Sequence, residues 1–265
     1  MYPKLTSTCL LATLLACSTP ALAQDADLAK KLSNPVASLI SVPFQWNYDQ
    51  GFGPDDGNKI TLNIQPVIPI TLNEHWNLIS RTIVPVVRQD DIAGQSGMQF
   101  GLSDTVQSLF LSPKEPTAGG LIWGVGPVML LPTGTDDLLS SRKWGAGPTA
   151  VALRQQGPWT YGALANHIWS FAGNADRGDV NSTFLQPFVS YTTADAWTFT
   201  LNSESTYDWT SNEWSIPINA MVSKLVTIDK QPISFQAGVR YYAASSDNGP
   251  EGLGARAAIT FLFPK

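Results

Sequence analysis

Apolar and polar residues alternate one by one along many short segments of this chain. In KITLNIQPVIPI, which starts at Lys59, the isoleucines and the leucine fall on even numbers, and Thr, Asn and Gln fall on odd ones. WTFTLNSESTYDW from Trp197 and ISFQAGVRYY from Ile233 alternate in the same way, with their large apolar residues mostly on odd numbers. Successive side chains of a β-strand point to opposite faces, so each segment predicts a strand with one apolar and one polar face. Such strands build either a soluble sandwich or the wall of a membrane barrel.

Segments of this kind follow one another through the chain, separated by clusters of Gly, Pro, Asn and Asp. There are about twelve of them: Ala37–Tyr48, Lys59–Leu72, Trp76–Val87, Met98–Leu111, Leu121–Leu131, Trp144–Arg154, Trp159–Phe171, Thr183–Thr192, Trp197–Trp209, Trp214–Thr227, Ile233–Ala243 and Leu253–Phe263. Longer acidic connections such as DQGFGPDDGN alternate with short ones such as NEH and TADA. Outer-membrane barrels alternate long outer loops with short periplasmic turns in this way. The sequence therefore predicts an all-β fold, an antiparallel up-and-down transmembrane β-barrel of about twelve strands.

The first residues have the pattern of an export signal. Lys4 gives a positive start, CLLATLLAC (Cys9–Cys17) is an apolar core, and the ALA at 21–23 is a small-x-small cleavage site. We expect cleavage of residues 1–23 and a mature chain that begins at Gln24, with a lipid anchor on Cys17 as the alternative. Both cysteines lie in this signal, which excludes disulfides, a thiol enzyme and a Cys-ligated metal from the mature chain.

Composition favours the barrel over the sandwich. Charged residues make up 14% of the chain, against roughly 25% in an ordinary soluble domain. Mean hydropathy is only −0.02, and no apolar run approaches the ~20 residues of a spanning helix. We therefore predict localisation in the outer membrane of a Gram-negative bacterium, in contact with lipid and lipopolysaccharide. A net charge of −5 provides no basic surface for nucleic acid.

Aromatic residues and prolines have opposite implications for the barrel. The aromatics cluster at segment ends, where girdles meet the lipid headgroups, as Trp76, Trp144, Trp159, Trp197, Trp209, Trp214 and Phe263. Prolines fall inside the predicted strands, and each removes a hydrogen-bond donor from the ladder, at Pro66, Pro69, Pro127, Pro148, Pro187 and Pro217. We expect bulges or bends at these prolines, and some segments broken in two. Pro85 lies near the outer end of its strand, where a lost bond costs least.

Long strings spread over nearly the whole mature chain carry a family resemblance. They are NPVASLISVPFQWNYDQGFGP, LNIQPVIPITLNEHWNLISRTIVPVV, IWGVGPVMLLPT, KWGAGPTAVAL, GPWTYGALANHIWSFAG, TFLQPFVSYTT and the terminal TFLFPK. They resemble a proteobacterial outer-membrane transporter-like family related to the "MetA pathway of phenol degradation" transporters. The resemblance implies an exported barrel linked to uptake of aromatic or other small compounds, and it brings no binding residues to carry over. We expect the barrel-assembly machinery as a partner, although Pro264 and Lys265 follow the terminal aromatic residue.

Polar-parity residues within the strands are the candidate site. The charged group Arg81, for example, lies in the apolar run HWNLISRTIVPVV on the parity opposite to Trp76 and Leu78. The predicted lumen residues are Arg81, Arg240, Arg256, Glu204, Asn202, Gln65 and Asn77. We predict a channel for passive passage of small, aromatic or anionic solutes, in which arginines attract the solute and Glu204 shapes its path. The alternative is a structural or interaction barrel whose lumen the same groups fill. The sequence leaves the oligomeric state open.

Enzymatic and metal chemistry find little support. His167 and Ser170 are three residues apart, so they face opposite sides of a regular strand and cannot form the Ser-His pair of a lipid hydrolase. His75, the other histidine, falls in a predicted turn. We therefore predict no enzyme, no cofactor and no metal site. The acidic pairs Asp55-Asp56, Asp90-Asp91 and Asp136-Asp137 read as solvated outer loops, with divalent-cation binding as the alternative.

The remaining expectations concern organisation. We predict a short periplasmic segment at 24–35, in which DADLAKKL (Asp25–Leu32) forms a helix too short to fold as a plug domain, although the tail can enter the lumen. Residues 36–265 are the predicted barrel domain. The related strings WGVGP (Trp123–Pro127) and WGAGP (Trp144–Pro148) predict close packing or bending of the strands rather than phosphate binding, because no helix begins after them.

Overall fold

The computed structural model describes residues 19–264, and side-chain surroundings from residue 24 onward. The elements are α1 (Thr19–Leu32), β1 (Ile40–Phe52), β2 (Gly57–Ile64), β3 (Val67–Thr71), β4 (Trp76–Asp90), β5 (Met98–Leu102), β6 (Thr105–Pro113), β7 (Leu121–Leu131), β8 (Lys143–Gln156), β9 (Trp159–Gly173), β10 (Asn181–Thr192), β11 (Trp197–Ser203), β12 (Ser205–Asp208), β13 (Glu213–Ile228), β14 (Gln231–Ala244) and β15 (Leu253–Phe263). The predicted apolar signal core, Cys9–Cys17, and its alternative lipid anchor lie outside these residues. Within the described chain, no helix has the length and apolar character needed to cross a membrane.

The strands form one closed antiparallel ring. Each strand pairs with its sequence neighbours, and β15 pairs with β1, where Ile259 lies opposite Phe44. Three pairs of short strands lie end to end, and each pair fills one strand position of the barrel: β2 with β3, β5 with β6, and β11 with β12. We call each strand position of the barrel a stave. The ring therefore has twelve staves, and the predicted twelve-stranded up-and-down barrel is confirmed.

The faces of the barrel are inverted relative to a soluble protein. Its outward side chains are large and apolar, among them Phe100, Phe171, Phe199, Leu201, Val239 and Leu253. Many of its buried side chains are polar or charged, among them Asn47, Asp49, Asn77, Gln89, Asn219 and Arg256. Only lipid is a favourable surrounding for such an exterior, so the strand parity translates directly into a membrane-spanning wall.

The predicted aromatic ends also lie on the outer face. Trp144, Trp159, Trp197, Trp209, Trp214 and Phe263 are exposed. Trp76 is partly buried because its ring packs edge-on against Trp123, with 5.9 Å between centroids. The rings therefore stand where the headgroup zones of a bilayer meet the barrel wall.

Some of the prolines distort the wall as expected. The stave of β2 and β3 is broken at Gln65 and Pro66, and the register of β13 on β14 shifts at Pro217. Pro69 pairs continuously with β4, and Pro187 pairs continuously with β9. On its other side, however, the pairing of β10 with β11 and β12 skips Gln186 and Pro187. The other two breaks, at Ser103-Asp104 and at Glu204, lie opposite prolines of a neighbouring strand, since Ser103 N donates to the Pro85 carbonyl and Glu204 N to the Pro217 carbonyl.

Pro127 and Pro148 lie opposite each other in adjacent strands. On their other sides, the pairing of β7 with β6 and of β8 with β9 is interrupted at these prolines. A glycine precedes each proline. A Cβ atom on Gly126 would lie 1.9 Å from the carbonyl oxygen of Leu109, and one on Gly147 would lie 1.8 Å from that of His167. The repeated Gly-Pro therefore allows two backbones to approach where a ladder bond is missing, as the packing interpretation predicts.

The N-terminal segment, residues 24–39, lies inside one end of the barrel. Lys30 and Lys31 occupy the last turn of α1, where cations favour the helix dipole, and Pro35 follows its end. Leu28 and Ala29 pack with the wall residues Leu225 and Leu262. Val36 enters a second apolar cluster with Ile79, Phe110, Val151, Leu153 and Leu164. Both ends of the described chain lie on the side of the short turns, so this segment occupies the mouth on that side, which the sequence predicts to be periplasmic.

Candidate functional site in the barrel lumen

A bidentate ion pair stands at the centre of the lumen. The Arg256 guanidinium donates to both carboxylate oxygens of Glu204, at 2.8 and 2.7 Å, and its Nε donates to Asn47 Oδ1 at 2.7 Å. The Arg256 side chain is only 2% exposed and that of Glu204 is 19% exposed. Glu204 reaches Arg256 from the break between β11 and β12. This break therefore aims the carboxylate across the lumen.

A second arginine extends the pair toward the end of the barrel opposite the N-terminal segment. Arg240 Nη2 lies 3.7 Å from Glu204 Oε2, and its Nε lies 3.5 Å from Asp49 Oδ1. The Arg240–Asp49 contact is an ion pair without hydrogen-bond geometry, because this buried Nε has no acceptor. Tyr242 donates its hydroxyl to Asp49 at 2.9 Å and stacks its ring 5.2 Å from the Arg240 guanidinium. Two arginines and two carboxylates therefore neutralise each other in one network.

Arg81 is not in contact with this network, although it lies near enough to Glu204 for the two charges to attract each other. Its Nη2 donates to the neutral Gln65 Oε1 at 3.1 Å, and it forms no ion pair within 4 Å among the described residues. Among the described residues, no nitrogen of the Arg81 guanidinium is both buried and without a hydrogen-bond partner. Its nitrogens that make no hydrogen bond therefore face accessible space. Among the lumen arginines of the described chain, Arg81 is thus the one that no carboxylate neutralises at contact distance.

The accessible space is a cavity of about 490 Å³ inside the ring. Its polar lining includes Arg81, Gln65, Glu204, Arg256, Asn202 and Gln186. Its apolar lining includes Ile83, Val106, Ile168, Phe184 and Phe188. A volume of this size lies within the range of small-molecule sites, about 300–1,000 Å³.

The N-terminal segment forms the floor of this cavity. Ala29, Leu32 and Pro35 line it from below, and a smaller cavity of about 170 Å³ lies beside residues 31–39. Arg81 and Gln65 line both cavities. The unneutralised cation is therefore placed at the junction between the central space and a narrower space along the N-terminal segment.

The opposite mouth is narrowed by residues 132–142, which we name the mouth loop. The Asp104 carboxylate accepts hydrogen bonds from Ser140 Oγ (2.6 Å), Ser141 N (2.7 Å), Ser141 Oγ (2.6 Å) and Gly134 N (3.1 Å). Asp104 lies at the break between β5 and β6. That break therefore turns a carboxylate toward the loop and fastens it.

Further contacts place the mouth loop on the inner side of the wall. A Cβ atom on Gly101 would lie 2.0 Å from Thr135 Oγ1, and Gln89 donates to the Leu138 carbonyl at 3.2 Å. Gln89 and its neighbour Gln99 are inward and buried, whereas Phe100 faces outward. The loop predicted as a solvated outer connection therefore folds into the mouth opposite the N-terminal segment.

The structure places the sequence-predicted lumen residues in four separate surroundings. Arg256, Arg240 and Glu204 meet in one network, and Arg81 pairs with Gln65. Asn202 accepts a hydrogen bond from Asn219 at 2.8 Å and lines the cavity. Asn77 is buried near the floor and donates to Ser38 of the N-terminal segment at 2.7 Å. All seven lie on the inner face, while their roles in selectivity remain predictions.

His167 and Ser170 do not contact each other. His167 Nδ1 lies 2.7 Å from Thr183 Oγ1, which also accepts from the Trp209 indole at 2.8 Å. Ser170 instead donates to Asp179 at 3.1 Å. His167 thus belongs to an aromatic cluster on the outer face, apart from the Ser170 hydroxyl.

The acidic residues of the outer loops have partners of their own. Asp137 pairs with Arg142 at 3.1 Å, and Lys143 Nζ lies 3.0 Å from Asp179. Hydrogen bonds from Lys143 and then Ser170 lower the pKa of the Asp179 carboxyl. Within the described chain, no group of three or more His, Cys, Asp or Glu side chains is placed to hold a metal ion.

Several site residues were absent from the predictions. Asp49 and Asn47 share the polar parity of β1, so the rule that found Arg256 would also have found them. Phe184 and Phe188 are apolar residues on the inner face, where parity predicts polar ones. Asp104 carried no signal beyond its position inside a predicted strand.

A closed antiparallel ring with an apolar exterior and a polar, ion-paired interior defines a transmembrane β-barrel of the outer-membrane class. No protein-family model matches the chain, and no curated protein matches its sequence. Its fold, however, matches solved structures.

The structure is similar to the COG4313 outer membrane channel from Pseudomonas putida F1, with a TM-score of 0.67 and 13% identity over 85% of this chain and 96% of that one. It is also similar to outer membrane phospholipase A from Escherichia coli, with a TM-score of 0.50 and 10% identity over 84% and 96% of the two chains. The Salmonella typhi phospholipase matches with a TM-score of 0.50 and 11% identity over 94% and 99%. At these identities the likeness establishes the fold, and function has to be argued from the lumen.

Proposed function

We propose that this barrel is a passive channel of the outer membrane for small solutes. The observation that carries the proposal is the central cavity of about 490 Å³, enclosed by the ring and lined by Arg81. A barrel whose interior served only as packing would neutralise its charges, as Arg256, Arg240 and Glu204 do. An arginine that faces open space instead provides a place where a solute exchanges its water for protein contacts.

The alternative function is a structural or interaction barrel with a closed lumen. The N-terminal segment in the periplasmic mouth and the mouth loop at the other end favour it. We propose that the N-terminal segment narrows the path rather than sealing it, because the smaller cavity of about 170 Å³ continues beside residues 31–39. We further infer membership of the transporter-like family named for the MetA pathway, on the sequence strings quoted above.

The export and assembly steps belong to the same proposal. Residues 1–23 would be removed as a signal peptide, and the barrel-assembly machinery would insert residues 36–265 into a membrane of lipid and lipopolysaccharide. No catalytic step is included, because the Ser170 hydroxyl bonds Asp179 and His167 bonds Thr183.

Conductance in planar lipid bilayers tests the channel against the closed barrel. We would compare the refolded mature chain with a variant that lacks residues 27–35, using heat-modifiable gel mobility to verify folding of both. The channel predicts discrete conductance steps for the mature chain and larger steps for the deletion variant. If both proteins fold and neither shows conductance steps, the closed barrel would be the correct interpretation.

A further inference from the structure

Arg81 has unused hydrogen-bonding capacity toward the cavity. A guanidinium carries five N–H donors in a rigid planar fork that matches a carboxylate. In Arg81, the described structure uses one of them, on the neutral Gln65. The remaining donors face accessible space rather than a sealed interior. An anion that enters the cavity therefore meets a fork that needs no rearrangement of an existing ion pair.

The cavity also has an apolar wall. Ile83 is two residues beyond Arg81 on the same inward face of β4, and Val106 lies on the neighbouring stave. Phe184 and Phe188 line the same cavity from β10 and pack against the cluster that holds Val36. A ligand bound at Arg81 can therefore remove apolar surface from water as well as pair its charge.

The charges of the cavity limit the ligand to one negative charge. The guanidinium of Arg256 is already paired with Glu204, and that of Arg240 is shared between Glu204 and Asp49. Glu204 lines the same cavity and would repel a second anionic group. A dianion such as a phosphate monoester would therefore have one of its charges without a partner.

We propose that the lumen contains a binding site for small monocarboxylates with an apolar body. Arg81 holds the carboxylate by charge-assisted hydrogen bonds, and the body lies along Phe184, Phe188 and Ile83. This site would define the substrate class of the channel, so the inference rests on the proposed function. It also explains why Arg81, alone among the lumen arginines that the structure describes, lacks a carboxylate partner.

Binding of three probes to the folded barrel in detergent tests this site. Isothermal titration would compare benzoate with benzyl alcohol, which keeps the ring but lacks the charge, and with acetate, which keeps the charge but lacks the body. We expect benzoate to bind about 10- to 100-fold more tightly than either, the range set by hydrogen bonds to a charged group. Equal affinity for benzoate and benzyl alcohol would overturn the proposal.

Two substitutions on one strand provide the matched comparison. Arg81→Gln should weaken benzoate binding about 10- to 100-fold and leave benzyl alcohol unchanged. Arg88→Gln removes a half-exposed arginine of β4 that is paired with Asp90, and should change neither. Wild-type benzoate affinity in a folded Arg81→Gln barrel would contradict the site. If that variant does not fold, the three probes on the wild-type barrel still decide the question.

Failure of the site and failure of the channel give different results. A barrel that conducts chloride but does not bind benzoate keeps the proposed channel and loses the carboxylate site. A barrel that binds benzoate with the expected preference but never conducts keeps the site and loses the channel.

Discussion

Replacing Glu204 by Gln should destabilise the barrel far more than an ordinary surface substitution does. The change leaves Arg256, with its side chain 2% exposed, without the carboxylate that receives two of its three hydrogen bonds to oxygen. Removing one partner of a buried ion pair costs about 3–5 kcal/mol. Glu204 is 19% exposed beside a cavity, and the amide oxygen still accepts one bond. We therefore expect the lower end, about 3 kcal/mol.

Urea unfolding of the barrel in phospholipid vesicles, followed by tryptophan fluorescence, would measure this cost. The control is Asp137→Asn, which breaks an exposed pair with Arg142 and should cost less than about 1 kcal/mol. Combining Glu204→Gln with Arg256→Met removes both charges and should recover much of the loss. A Glu204→Gln cost as small as that of Asp137→Asn would refute the argument, because it would mean that the network is solvated like a protein surface.

Three further predictions follow from the wall and the two mouths. Gly126→Ala should destabilise the barrel in the same urea assay, because its Cβ would press on the Leu109 carbonyl, whereas Gly178→Ala, which meets nothing within 4 Å, should not. Asp104→Ala removes four hydrogen bonds to the mouth loop and should raise the rate of proteolytic cleavage within residues 132–142 of the folded barrel, with the wild-type cleavage rate as the result against it. Deleting residues 27–35 should increase single-channel conductance severalfold, and an unchanged conductance would mean that the N-terminal segment does not limit the path.

The wall of this barrel is predictable from its sequence because a lipid-facing strand has to alternate strictly. Each outward residue meets lipid and each inward one meets water or polar groups, so parity assigns Leu201 and Asn202 to opposite faces without a structure. Chain order then fixes the neighbours of each strand in an up-and-down barrel. The twelve staves and the inward placement of Arg81, Glu204 and Arg256 followed from this local rule.

Contacts across the lumen could not be predicted in this way. Asn47 and Arg256 are 209 residues apart and meet only because the last strand closes on the first. Whether a carboxylate lies within reach of Arg81 depends on how residues of distant strands are positioned along the barrel axis, which parity does not determine. The paths of the N-terminal segment and the mouth loop depend on inner-wall contacts such as those of Asp104, which leave no periodic pattern.

The central claim is that the lumen conducts and that Arg81 sets its preference for anions. The reversal potential of the open channel in a KCl gradient across a planar bilayer tests this claim most directly. We predict anion selectivity for the wild-type barrel, a clear shift toward cations for Arg81→Gln, and no shift for Arg88→Gln. A reversal potential that is the same in all three proteins, or a folded barrel that never conducts, would contradict the account.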